Sequence, residues 1–168
     1  MTIRQPIVVV LGHVDSGKTS LLDKIRGTAV QSRESGGITQ HIGASFFPTE
    51  TLETLCGDLF TKFGREINLP GLLIIDTPGH AIFSNLRNRG GSAADIAILI
   101  VDIMKGFEPQ TIESLDILMR LKVPFIVALN KLDTLPGWRN TSDLTLTQSL
   151  KHIDKNLSYE LDNRIYAV

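Results

Sequence analysis

Eight residues, Gly12-His13-Val14-Asp15-Ser16-Gly17-Lys18-Thr19, restrict what this chain can fold into more than any others. Ahead of them runs Ile7-Val8-Val9-Val10-Leu11, apolar and rich in β-branched residues, which predicts a buried parallel strand. Behind them Ser20-Leu21-Leu22-Asp23-Lys24-Ile25 has helical spacing. A strand that passes through a glycine-bounded turn and Lys-Thr into a helix predicts a phosphate cradle. Gly12 and Gly17 permit the backbone to wrap closely, and the N–H groups of the turn and helix start then face an anion. Lys18 adds a point charge for β- and γ-phosphates, and the Thr19 hydroxyl is placed for Mg²⁺. Asp15, Ser16, Gly17, Lys18, Thr19 and Ser20 form the candidate nucleotide-binding set here.

The bulk properties agree with a globular domain that holds such a ligand. The chain has 168 residues, enough for one substantial core, with 42% hydrophobic and 21% charged residues. A net charge of −1 lacks the basic excess needed to bind nucleic acid by charge alone, which argues against a DNA-binding role. The single Cys56 leaves no intrachain disulfide and suits a reducing compartment. No stretch is long and apolar enough to span a membrane, and the first residues lack an apolar signal core. The cytoplasm is the default location, with no membrane partner.

Along the chain, apolar strand-like runs alternate with helical patterns. Gly27 to Gly37 reads as a loop, Ile38 to Phe47 as an extended segment ended by Pro48, and Thr49 to Phe63 as a helix with Thr49 as N-cap. Leu72 to Asp76 reads as a second buried strand and Ile96 to Val101 and Pro124 to Leu129 as two further strands, with helices over Ala81 to Arg89 and Pro109 to Leu121. This alternation predicts a three-layer α/β fold, a mostly parallel sheet with helices on both faces. Ligands in such sheets bind at the carboxyl ends of the strands, so the polar residues after each strand are the ones to examine.

Asp76-Thr77-Pro78-Gly79-His80 follows the second buried strand. Asp76 can hold Mg²⁺ opposite Thr19, Gly79 lets a backbone N–H approach a γ-phosphate, and His80 projects where an attacking water would sit. Asn130-Lys131-Leu132-Asp133 follows the fourth. The Asp133 carboxylate can accept two hydrogen bonds from guanine, whose edge offers a donor pair that adenine lacks. The Asn130 amide can tie this loop to the phosphate loop, and the Lys131 stem can lie over the base plane. Thr39, after Gly36-Gly37, can close its hydroxyl onto Mg²⁺ from a switching loop.

Taken in order, these three motifs resemble those of translational GTPases. Gly36 to Ala44, Val101 to Thr111 and Pro136-Gly137-Trp138-Arg139 are similar to the initiation factor five-B family of archaea and eukaryotes, related to bacterial initiation factor two. The resemblance covers roughly residues 5 to 140. It implies a P-loop GTP-binding domain using GTP or GDP with Mg²⁺. Thr19 and Thr39 would ligate the ion and Asp76 would act through water. Gly79, His80 and Lys18 would carry the hydrolysis, and Asp15 would help bind a monovalent cation. It also implies a ribosomal partner, and initiator tRNA held by domains outside this chain. An elongation-factor relative fits less well, because the Gly36-Gly37 and Pro109-Gln110-Thr111 stretches count against it; a P-loop ATPase or kinase is disfavoured by Asn130 to Asp133, and a folded fragment with little nucleotide binding of its own is the remaining alternative.

The chain departs from that pattern near its end. Family members carry a further strand with a base-contacting Ser-Ala pair, and residues 141 to 168 contain none. They read as a polar helix with Leu146, Leu150, Ile153 and Leu157 at helical spacing. The expectation is a domain core over residues 1–140, with 141–168 an insertion before a last strand and helix that are missing here.

Overall fold

The computed structural model describes residues 4–31, 40–41, 44–57, 62, 69–75, 94–139 and 146–168. Thr39, Asp76, Gly79, His80 and the helix expected over Ala81 to Arg89 lie outside the described residues.

Six strands form one sheet. β1 (Ile7–Gly12) is central, between β4 (Gly71–Ile75) and β5 (Ile96–Asp102), both parallel to it. Beyond β5 lies parallel β6 (Phe125–Asn130). Beyond β4 lie antiparallel β3 (Ala44–Pro48) and then β2 (Gln40–His41). The helices are α1 (Lys18–Gln31), α2 (Thr49–Cys56), α3 (Pro109–Leu121), α4 (Leu146–Ser149) and α5 (Lys155–Tyr166).

The unbroken apolar run of β1 is explained by burial on both faces. Val9 and Leu11 pack with Ala97, Leu99, Val101, Ile117 and Leu118, under α3. Val8 and Val10 pack with Leu22 of α1, Phe47, Ile74 and Ile100. Alternate residues of one strand thus feed two cores, as a sheet covered on both sides requires. On the far edge, Ile126 and Val127 of β6 are exposed, at 54% and 43%.

Three sequence expectations shift. Gly27 does not end the first helix, which continues to Gln31. A Cβ at Gly27 would meet nothing, and Arg26 ties this stretch to the sheet by donating to Ser45 Oγ at 3.1 Å. A mid-helix glycine costs only about 1 kcal/mol against alanine, too little to break an anchored helix. The N-cap of α2 is Pro48, and Thr49 is its first helical residue, its hydroxyl donating to the Leu69 carbonyl. Residues 141–168 do not form a single helix. α4 ends at Ser149, and α5 restarts after Asp154, whose carboxylate caps the Leu157 N–H at 2.8 Å. The leucine spacing ran across that break. Leu157 and Leu161 then pack with Ile103 and Leu135, behind the turn that follows β6.

At the amino ends of the strands, Asp95 staples β1 to β5. It accepts the Ile7 N–H at 2.8 Å and both arms of the Arg4 guanidinium at 2.5 and 2.7 Å. Arg4 first, then the Ile7 N–H, hold its carboxyl below the usual carboxylate range. Because the folded value lies below the unfolded one, about 3.9, the contribution is present above that pH and is lost as pH falls through the folded value. Asp95→Asn should therefore lower the melting temperature by a few degrees at pH 7, and the gap from the parent should close in acid. Melting curves across pH 2–7 check this.

Candidate nucleotide site

The carboxyl ends of β1 and β6 deliver two polar loops to one cleft. Its lining is Asp15, Gly17, Lys18, Thr19, Ser20 and Lys131, around a volume of about 360 Å³. Six residues proposed from sequence thus line a single cleft, one of them from 113 positions further along than Lys18 (131 minus 18).

The turn between β1 and α1 is coiled by positive backbone angles at Gly12 (φ 146°), Asp15 (65°) and Gly17 (96°). Such a turn directs successive N–H groups into a concavity suited to an anion. Lys18 folds over it, donating to the Gly12 and His13 carbonyls at 3.0 and 2.6 Å. Ser16 is buried, and its Oγ has no hydrogen-bond partner among the described residues. Thr19 and Ser20 are exposed at the start of α1.

Asn130 joins the second loop to the first. Its Nδ2 donates to the Ser16 carbonyl at 2.8 Å, across a separation of 114 residues. This contact also accounts for Gly17 by crowding: a Cβ there would lie 2.1 Å from Asn130 Nδ2. Lys131 follows in the left-handed region (φ 63°), and Leu132–Thr134 form a single 3₁₀ turn. Thr134 braces that turn by donating to the Lys131 carbonyl through its hydroxyl at 2.7 Å and its N–H at 2.9 Å. Asp133 is exposed on it.

Four contributors were not assigned roles from sequence. Gln110 Oε1 accepts the Val14 N–H at 3.0 Å, and Glu108 Oε1 lies 3.4 Å from His13 Nε2. These two side chains, at the start of α3, fasten the phosphate turn from the side. Asp102, at the end of β5, accepts from Lys131 Nζ at 2.8 Å. His13 was seen as part of the motif, but its neighbour lies 95 residues away (108 minus 13) and has no local signal. Asp102 did carry a signal, since it is the polar residue that ends a buried strand.

Comparison with known proteins fits this geometry. The model of the elongation factor Tu GTP-binding domain matches residues 4–167. The chain belongs to that family. Among its relatives, a probable translation initiation factor IF-2 of Thermofilum pendens is 58% identical over 160 residues, covering 95% of this chain and 27% of the relative. The corresponding protein of Sulfurisphaera tokodaii is 57% identical over 166 residues, covering 99% and 28%. The crystal structure of GDP-bound aIF5B from Aeropyrum pernix superposes with a TM-score of 0.85 at 54% identity, over 98% of this chain and 28% of that one. The chain thus spans little more than a quarter of the length of these relatives.

The crowding at Gly17 gives a prediction. Gly17→Ala should destabilise the domain by about 1–3 kcal/mol, from a strained backbone angle and a broken Asn130–Ser16 bond. In an Asn130→Ala background the clash is relieved, so the same substitution should cost less. A urea-denaturation double-mutant cycle reads the difference, and additive costs would reject the contact as the cause.

Proposed function

We propose that this chain binds GTP and GDP, hydrolyses GTP, and serves as the switch domain of a translation initiation factor. The observation that carries the reading is the 2.8 Å bond from Asn130 to the Ser16 carbonyl. It joins a phosphate turn to a loop whose exposed Asp133 can pair with guanine, so one ligand can span both. Family membership, the initiation-factor relatives and the GDP-bound neighbour support it.

In this reading the N–H groups of residues 15–20 and the Lys18 ammonium hold the phosphates. Thr19 offers a hydroxyl oxygen at the cleft, a donor that suits a hard divalent cation sharing phosphate oxygens. Thr39 and Asp76 would complete the Mg²⁺ ligands, and the ion would offset charge on the phosphates. Asp15 lines the same cleft and is placed to attract a monovalent cation. Gly79 would sense the γ-phosphate, and His80 would orient water for in-line attack once the ribosome positions it. The bound triphosphate would hold the segments around Thr39 and Asp76, and hydrolysis would release them. The full-length factor would promote ribosomal subunit joining and place initiator tRNA through its other domains.

Calorimetric titration with GDP, GTP and ATP tests the nucleotide reading: both guanine nucleotides should bind, and ATP of equal affinity would reject it. Asp133→Asn should shift preference from GDP toward xanthosine diphosphate, because the amide turns one acceptor into a donor and xanthine presents an acceptor where guanine has its amine. An unaltered ratio of the two affinities would remove Asp133 from the base site. In the full-length factor, His80→Ala should leave GTP binding near normal and slow single-turnover hydrolysis on ribosomes by ~10²–10⁴.

A further inference from the structure

Asp102 and Lys131 form an ion pair that the phosphate and base motifs do not account for. Asp102 is 4% exposed at the carboxyl end of β5. Its Oδ1 accepts the Met104 N–H at 2.9 Å, and its Oδ2 accepts from Lys131 Nζ at 2.8 Å. Burial pushes this carboxyl up, but the Lys131 ammonium and the Met104 N–H together outweigh it and hold Asp102 below the usual carboxylate range. A buried carboxylate is costly without a cation, so the pair ties Lys131 to one place.

That place matters because of where Lys131 starts. Its backbone is left-handed, uncommon for a residue with a side chain, and the residue lines the nucleotide cleft with Asp15, Gly17 and Lys18. The stem is therefore held at both ends. Its Cα is fixed by the turn, and its ammonium is fixed at the end of β5. Four methylene groups between those points form a short apolar wall. The end of β5 is itself held, since Asn130 pairs with Asp102 in the sheet and the Ile103 N–H donates to the Asn130 carbonyl at 3.0 Å.

Resting on the guanine-nucleotide reading above, we propose that Asp102 is a positioning residue for the base. It anchors the Lys131 ammonium so that the lysine stem stands as a wall against the purine ring. A wall of methylene groups has no donor or acceptor to match. It slows release of a purine nucleotide without reading which purine it is, whereas Asp133 reads the exocyclic amine.

This division of labour separates the two acids experimentally. Release of GDP and of inosine diphosphate, which lacks that amine, is measured by stopped flow on the full chain, with melting temperature recorded alongside. Asp102→Asn should speed release of both by the same factor, about tenfold, from loss of the ordered apolar contact. Asp133→Asn should change the two unequally. In a Lys131→Met background, Asp102→Asn should have no further effect on release. A purely structural Asp102 would lower the melting temperature and leave release at the parent rate, which would overturn the proposal. If Asp102→Asn does not fold, the comparison moves to Lys131→Arg and Lys131→Met with Asp102 in place. Arginine keeps a cation on Asp102 and should keep slow release, methionine should lose it, and equal release from both would overturn the proposal. A parent chain that binds no GDP would overturn the guanine reading together with this inference. GDP binding by the parent with release unchanged in Asp102→Asn would overturn the inference alone.

Discussion

Everything at the site depends on β1 lying between two strands that run parallel to it. Parallel pairing to β4 and β5 puts the carboxyl ends of the strands on one edge of the sheet, so the turns that leave them converge. Gly12 is the last rung of that pairing, opposite Ile100, and a Cβ there would lie 2.3 Å from the Ile100 carbonyl oxygen. The strand therefore stays tight against its neighbour up to the residue where the phosphate turn begins. A bulkier residue would push the turn away from the loops after β5 and β6 that brace it.

The bracing is polar and comes from two places, the end of β6 and the start of α3. Asn130 holds the turn through the Ser16 carbonyl, Gln110 holds it through the Val14 N–H, and Glu108 lies against His13. Behind these, α5 supports the loops. Its leucines pack on Ile103 and Leu135, and Arg164 donates to the Met104 and Ile103 carbonyls at 3.1 and 3.4 Å. The segment after residue 145 thus contributes to the surroundings of the site, although among the described residues the cleft takes none of its lining from that segment.

β1 and β5 were legible because burial on both faces leaves uninterrupted apolar runs, β6 by its apolar run alone, and Pro109 marks where α3 starts. The cleft residues were legible because a phosphate turn needs glycine and Lys-Thr at fixed spacing along one stretch of chain. What sequence could not give were contacts closed by the fold. The tie from Asn130 to the phosphate loop was anticipated, but its crowding of Gly17 and the choice of Asp102 as partner of Lys131 were not, since no local pattern marks either. The C-terminal leucine spacing misled for a related reason. A periodic pattern does not register that one helix stops at Ser149 and the next starts at an Asp154 cap.

The bond between Asn130 and Ser16 spans 114 residues of chain. During synthesis β1 and its turn leave the ribosome early, and the strand that carries Asn130 comes much later. Parallel pairing over such distances closes large loops before any contact rewards them, which makes folding slow. The turn between β1 and α1 therefore lacks its Asn130 contact until β6 has been made. A β-branched strand and the helix that follows it wait on side chains delivered by α3 and β6. Assembly of the sheet and completion of the turn between β1 and α1 are in this way the same late event.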